Sequence, residues 1–444
     1  MKKLWLMLVS VLMLAACSDE VPEVPTPDKP KPEQPEPKPE VKPGPFKGRT
    51  LLAYIVSNNL DNYLKANLID MYKGLSASKD SVALMVYYRP VYNDASLEGP
   101  SILKFVCNGK GKINGKDIIP ASDLEISDQM RCTDASEKAE LVIKQAEIVV
   151  SEDTDEYATD PQVLERVLKE MIAMAPSASY GLTMGSHGTG WLPGNPVQSR
   201  SFGDDRGTNI NIPELGEALK AVFGEKKLDY ILFDACMMAN AEVVYELRES
   251  TDHIIASVLE TSVYGHPYEE IFENLYANKV DYQQICDAFI TFNTRRNLWG
   301  TISVMDCSKI EKLAEWVNKE LKENNSQLGS GFQANVMQYG VYHDSFSDYS
   351  NYSYDVVDVF RQLENGNLLE LEMLMDELVV AKNCLDGADY QFDEIVIDKD
   401  RYSGLGMYLP FISGDKTSNN ISWDSYYLSA FGWAKAVEWA NYKP

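Results

Sequence analysis

Two side chains in this sequence have the types and the setting for nucleophilic catalysis. His187 stands in Tyr180-Gly181-Leu182-Thr183-Met184-Gly185-Ser186-His187-Gly188-Thr189-Gly190-Trp191. Cys236 stands in Tyr230-Ile231-Leu232-Phe233-Asp234-Ala235-Cys236-Met237-Met238-Ala239-Asn240. Each begins as an apolar or small run bounded by turn signals, the pattern of a buried parallel strand. Open parallel sheets gather functional groups at the carboxyl ends of their strands. Both residues fall at such ends, so positions 49 apart in sequence are expected to be neighbours in space. A thiol beside an imidazole can attack a carbonyl once the imidazole takes its proton. A helix predicted to start near Met237 would set its N-terminus against Cys236 and favour the thiolate. The backbone N–H groups of Gly188 and Cys236 are expected to hold the oxyanion of an acyl transition state. Taken singly, Cys236 also fits a buried small hydrophobe and His187 a structural histidine. The pairing separates them from that bland reading.

The elements that must position these residues alternate between strand and helix. Leu51–Val56 and Val82–Tyr88 read as strands, and Ile102–Cys107 as an antiparallel one. Asp160-Pro161 opens a helix, with a side-chain cap followed by proline at the first helical position. Its apolar stripe (Val163, Leu164, Val167, Leu168, Met171, Ile172) reads as a core-facing surface. Residues 191 to 213, rich in Gly, Pro, Asn, Asp and Ser, read as a long loop. Strands are expected at His253–Ser257 and Thr301–Met305, and helices at Ile310–Asn324, Asp355–Glu364 and Leu368–Cys384. Ser403–Pro410 reads as a late strand. Alternating strands and helices predict an α/β fold with a mostly parallel central sheet. A smaller, mainly helical C-terminal subdomain is expected over 311–444.

Composition narrows the partners. The 444 residues include 41 Lys and Arg against 67 Asp and Glu, a formal charge of −26. Such acidity repels phosphate and argues against nucleic acid or an anionic membrane surface. The N-terminus reads as a processing signal: Lys2 and Lys3, an apolar stretch Leu4–Leu14, then Leu14-Ala15-Ala16-Cys17. That stretch is too short to span a bilayer permanently. The end of it resembles a bacterial lipobox over residues 1–17, which implies lipidation at Cys17 and a lipid-anchored place in the cell envelope. Ser18-Asp19-Glu20 is consistent with an outer-membrane protein displayed at the surface. Residues 18–49 form a Pro-, Glu- and Lys-rich linker that favours extended conformations and builds no core. No two of the six later cysteines have metal-ligand or redox-motif spacing. Cys107 and Cys132 are candidates for a disulfide.

Five blocks in this order resemble the clostripain family of cysteine peptidases. They are Tyr54-Ile55-Val56-Ser57-Asn58-Asn59-Leu60-Asp61, Ser186-His187-Gly188-Thr189-Gly190-Trp191, Phe233-Asp234-Ala235-Cys236-Met237-Met238, Ala256-Ser257 through Tyr264-Gly265-His266-Pro267-Tyr268, and Ser403-Gly404-Leu405. The resemblance implies a caspase-like three-layer α/β/α sandwich with its peptidase domain over 50–310. It makes Cys236 the nucleophile and His187 the proton carrier. It implies protein or peptide substrates with Arg or Lys before the scissile bond, and an acidic pocket that includes Asp234, with Ser257 and Glu260 on the substrate wall. A capping or loop-bonding role for Asp234 stays open. Val258 stands where the family often has an acidic residue, so the wall is expected to differ. Self-cleavage in the 191–213 loop is implied too, after Arg200 first and Arg206 second.

His253 and His343 look structural, while His266, in a turn near that wall, is a candidate to touch substrate. Asp204-Asp205 reads as a solvated charge pair. No cofactor or contiguous metal loop is expected, though calcium held by distant carboxylates remains open. Two rivals stand beside the peptidase: an inactive binding protein of the same fold, and a cysteine transpeptidase.

Overall fold

The computed structural model describes Phe46 and residues 48–91, 97–193, 201–224, 226–324, 336–345, 348–363, 366–388, 395–410 and 418–442. Cys17, most of the 18–49 linker and Arg200 lie outside the described residues. The strands are β1 (Thr50–Val56), β2 (Ser81–Arg89), β3 (Ser101–Asn108), β4 (Lys112–Ile113), β5 (Lys116–Asp117), β6 (Glu147–Val150), β7 (Tyr180–Gly185), β8 (Phe202–Asp205), β9 (Thr208–Ile210), β10 (Tyr230–Asp234), β11 (His253–Ala256), β12 (Thr301–Asp306), β13 (Gln338–Ser345), β14 (Asp348–Asp355) and β15 (Val379–Cys384). One sheet runs β15-β12-β11-β10-β7-β1-β2-β3-β4-β5, with β6 also on β3. Its centre, β11-β10-β7-β1-β2, is parallel throughout. The flanking strands β12, β15 and β3 pair antiparallel.

Central strands are buried along nearly their whole length because both faces are covered. Every residue of β1 and of β10 is buried. Helices Pro161–Met174, Ile212–Phe223 and Ile310–Asn324 close one face, packing on Tyr54, Met184 and Phe233. Helices Asp61–Ala77, Tyr268–Tyr276 and Tyr282–Arg295 close the other, packing on Ile55, Leu232 and Ile255. The result is the three-layer α/β/α sandwich with a mostly parallel centre. The Asp160 cap forms as read, its carboxylate accepting from Gln162 N at 2.7 Å ahead of Pro161.

Four local expectations are corrected. The helix expected over Leu368–Cys384 stops at Leu378, and Val379–Cys384 becomes β15, the edge of the main sheet. The β-branched pair Val379-Val380 favours that switch, and pairing with β12 completes it. The loop after Trp191 contains a hairpin, β8–β9. Asp204 and Asp205 within it are buried, not solvated. Asp205 accepts from Arg89 Nε at 3.0 Å and from Ala158 N at 2.7 Å, partners that no local reading of the loop reveals. Cys107 and Cys132 are both free thiols, the first buried and the second exposed.

The chain beyond residue 310 shares this core. Besides β15, it supplies Tyr408 and Tyr427, whose rings lie 4.3 and 5.1 Å from that of Trp191. Among the described residues no helix is long and apolar enough to cross a membrane.

Candidate active site

His187 and Cys236 each lie two residues beyond the end of a central strand, β7 and β10, which are hydrogen-bonded neighbours. Gly185 is opposite Asp234 on one side and Ile55 on the other, so three strand ends are level. Ser186 ties them together: its N–H donates to Asp234 O at 3.2 Å and its hydroxyl to Val56 O at 2.8 Å. The two loops then touch at Gly188. A Cβ there would meet Cys236 O at 2.8 Å and the Ala235 side chain at 3.1 Å, so only glycine allows this approach. This contact sets the residue after His187 directly against Cys236, and both side chains are half-buried.

Gly188 also pairs with Phe202. That pairing is made by Thr189 N to Ser201 O at 3.3 Å and Gly203 N to His187 O at 2.9 Å. The Gly188 N–H takes no part in this ladder.

The helix after Cys236 begins at Ala241, not near Met237. Met237 turns with φ +61°, its N–H donates to Leu259 O, and Ala239 N donates to Ser257 O, both at 2.9 Å. Asn240 caps the helix by accepting from Val243 N. A helix dipole acts within its first turn, so the expected thiolate support from this helix is absent. The turn residues are short and apolar, and nothing in their spacing distinguishes a helix start from a strand-like crossing. The segment 257–265 instead walls the site. The Cys236 thiol donates to Thr261 O at 3.8 Å, and Thr261 Oγ1 donates to Ala235 O at 3.1 Å.

The same segment reaches Asp234. The Asp234 carboxylate is 7% exposed and accepts from Asn67 Nδ2 at 2.9 Å and Tyr268 OH at 2.8 Å. Burial raises its pKa, with His266, Tyr268 and Asn67 opposing in part. His266, offered as a substrate contact, is 2% exposed, and its ring packs 4.8 Å from that of Phe289. Burial lowers its pKa, which keeps it neutral. Ser257 is buried, sharing a 2.8 Å hydrogen bond with Thr301 Oγ1 and accepting from Leu259 N. Its side chain shapes the wall from behind. Glu260 is half-buried, and its carbonyl accepts from Trp299 Nε1 at 2.8 Å.

A model of the clostripain family, Peptidase C11, matches residues 53–442. The chain belongs to the clostripain family. It is 26% identical over 324 residues to the clostripain of Hathewaya histolytica, covering 61% of this chain and 59% of that protein. It therefore spans less than two thirds of the curated relative it matches. Two solved structures share the fold of this clostripain-family chain. An inactive zymogen C11 protease from Parabacteroides distasonis superposes with a TM-score of 0.66 at 23% identity, covering 88% of this chain and 97% of that one. A secreted C11 cysteine protease from Bacteroides thetaiotaomicron, in complex with an irreversible peptide inhibitor, gives 0.66 at 22%, covering 89% and 100%.

One site residue of this family member had no role in the sequence reading. Asn59, just past the end of β1, places its Oδ1 2.6 Å from His187 Nε2. An amide oxygen accepts, so this orientation of the Asn59 amide favours the His187 tautomer protonated at Nε2. The signal was present in the Ser57-Asn58-Asn59 block, but only the β1–β7 pairing brings it to the histidine. Asn59→Ala is expected to lower kcat by roughly 10- to 100-fold with little change in KM, and Asn59→Asp to restore part of it. An unchanged kcat and pH profile would remove Asn59 from the site. Among the described residues no group of three or more His, Cys, Asp or Glu is placed to hold a metal ion.

Proposed function

We propose that this protein is an exported cysteine endopeptidase, anchored by lipid at Cys17, that cleaves peptides after Arg or Lys. The observation that carries the reading is the contact of Gly188 with Cys236, which joins the His187 and Cys236 loops beside a buried carboxylate at Asp234. In this reading His187 takes the thiol proton, and the Cys236 sulfur attacks the carbonyl carbon of the basic residue. The Gly188 and Cys236 N–H groups hold the oxyanion. The intermediate collapses as the C–N bond breaks, and His187 passes its proton to the leaving amine. Water, deprotonated by His187, then cleaves the thioester, releasing the acid and restoring the thiol. Asp234 supplies the negative charge for the substrate cation, with Glu260 on the wall. Family membership and the secreted relative with its peptide inhibitor support export and a peptide substrate. The test is hydrolysis of fluorogenic Arg and Lys peptides by the purified protein. No turnover of either would overturn the reading in favour of a binding protein.

Self-cleavage after Arg200 completes the proposal. Ser201 and Phe202 return to the site immediately after that residue, against Thr189 and Gly188, which supports a cut made within one molecule. The inactive-zymogen relative is in keeping with an activation step. Arg206 is a poorer candidate, because its guanidinium is already engaged. Nη2 donates to Asp155 O and Glu156 O at 2.6 and 2.9 Å, and the group lies 3.9 Å from the centre of the Tyr157 ring. Intact mass spectrometry of active protein is expected to show two fragments. Cys236→Ala and Arg200→Ala are each expected to show one. A single uncut and fully active species would refute self-activation.

A further inference from the structure

We infer that the floor of this site selects lysine over arginine at the residue before the scissile bond, and that Tyr268 and Asn67 set the preference. The inference rests on the peptidase reading above and sharpens its substrate class. Asp234 ends β10, and both hydrogen bonds its carboxylate accepts fall on one oxygen. Asn67 Nδ2 and Tyr268 OH each reach Oδ2, at 2.9 and 2.8 Å. Oδ1 receives none among the described residues. Gly265 covers one side of the group. A Cβ on Gly265 would sit 2.6 Å from Oδ2, 2.9 Å from Oδ1 and 2.4 Å from Asn67 Nδ2. Among the described residues no lysine or arginine forms an ion pair with this carboxylate, so a substrate cation would be its first full counter-charge.

The geometry of that open charge decides which cation fits. A guanidinium binds carboxylate best as a planar fork, with one N–H to each oxygen. That mode needs a free lone pair on both oxygens, and two donors already occupy Oδ2. Arginine is left with one bond to Oδ1 and further N–H groups to satisfy in a buried site. An ammonium is a compact charge with three donors in a tetrahedral arrangement, and it needs only one carboxylate oxygen. Asn67 Oδ1, buried and without a hydrogen-bond partner among the described residues, is a further acceptor on the amide that holds the carboxylate. A carboxylate with two donors on one oxygen and none on the other suits a lysine head group better than an arginine fork.

The experiment compares kcat/KM for peptides identical except for Lys or Arg before the cleaved bond, in the wild-type protein and in Tyr268→Phe and Asn67→Ala. Lysine is expected to be favoured by roughly tenfold, the value of one charge-assisted hydrogen bond. Tyr268→Phe removes the phenol donor, opens Oδ2 and is expected to shift the ratio toward arginine. Asn67→Ala removes a donor and an acceptor together and shifts it the same way. A merely structural role would lower both substrates equally and leave the ratio fixed, which would overturn the assignment. So would a wild-type enzyme that cuts both peptides and favours arginine. Cleavage of neither peptide would instead overturn the peptidase reading.

Discussion

Cys236→Ala lowers kcat/KM for Arg and Lys peptides by on the order of 10⁵-fold, and His187→Ala by a comparable factor. The double variant is expected to lose little more, because in the proposed mechanism the nucleophile and its proton carrier act as one unit. Melting temperatures stay near wild type, since both side chains are half-buried and neither fills the core. Thiol chemistry gives an independent readout. Burial pushes the thiols of Cys107, Cys286, Cys307 and Cys384 upward, the last to about 11. Among the described cysteines, alkylation near neutral pH is therefore expected at the half-buried Cys236 and the exposed Cys132. In a Cys132→Ser background a single modified cysteine should account for all lost activity. Activity that survives full modification would dismiss Cys236 as the nucleophile.

Asp234→Asn separates the specificity pocket from the catalytic pair. It is expected to cost about 10³-fold in kcat/KM on basic peptides, the scale of removing one partner from a buried charge pair. The Cys236 alkylation rate is expected to hold. Stability should move the other way. The folded-state pKa of Asp234 is raised, first by desolvation, so the charged form costs stability that the protonated form does not. That cost is absent below the unfolded pKa and grows as the pH rises through the folded one. The neutral amide avoids it, so Asp234→Asn keeps or raises Tm at neutral pH. Activity on basic peptides carries the opposite dependence: it falls as Asp234 protonates, at a pH above the ordinary carboxylate range. The acid limb should vanish in Asp234→Asn. A limb that persists unchanged would detach Asp234 from substrate binding.

The legible parts of this molecule were those written in local pattern. The runs ending at Asp234 and Gly185 are mostly apolar or small, so two buried parallel strands, and with them the approach of the loops that carry His187 and Cys236, follow from periodicity and sheet topology. The ordered blocks carried the family. What stayed hidden depends on partners distant in the chain. Asp205 looks solvated until Arg89 arrives from 116 positions away. Asn59 looks like an ordinary turn residue until β1 aligns beside β7. The turn at Met237 hides because its positive φ falls on a residue type that rarely adopts one. Val379–Cys384 reads as a continuing helix because the β12 pairing that completes its strand comes from far back in the chain.

The placement of His187 and Cys236 on either side of the 194–200 stretch has a consequence for how the molecule is assembled. A break there leaves one piece holding β1 to β7 with the histidine, and another holding β10 to β12 and β15 with the cysteine. The parallel β7–β10 seam and the Gly188 contact run across that division. A nicked molecule would in effect be a heterodimer whose candidate active centre is shared between its halves. Its integrity then depends on the strength of that seam and no longer on chain continuity.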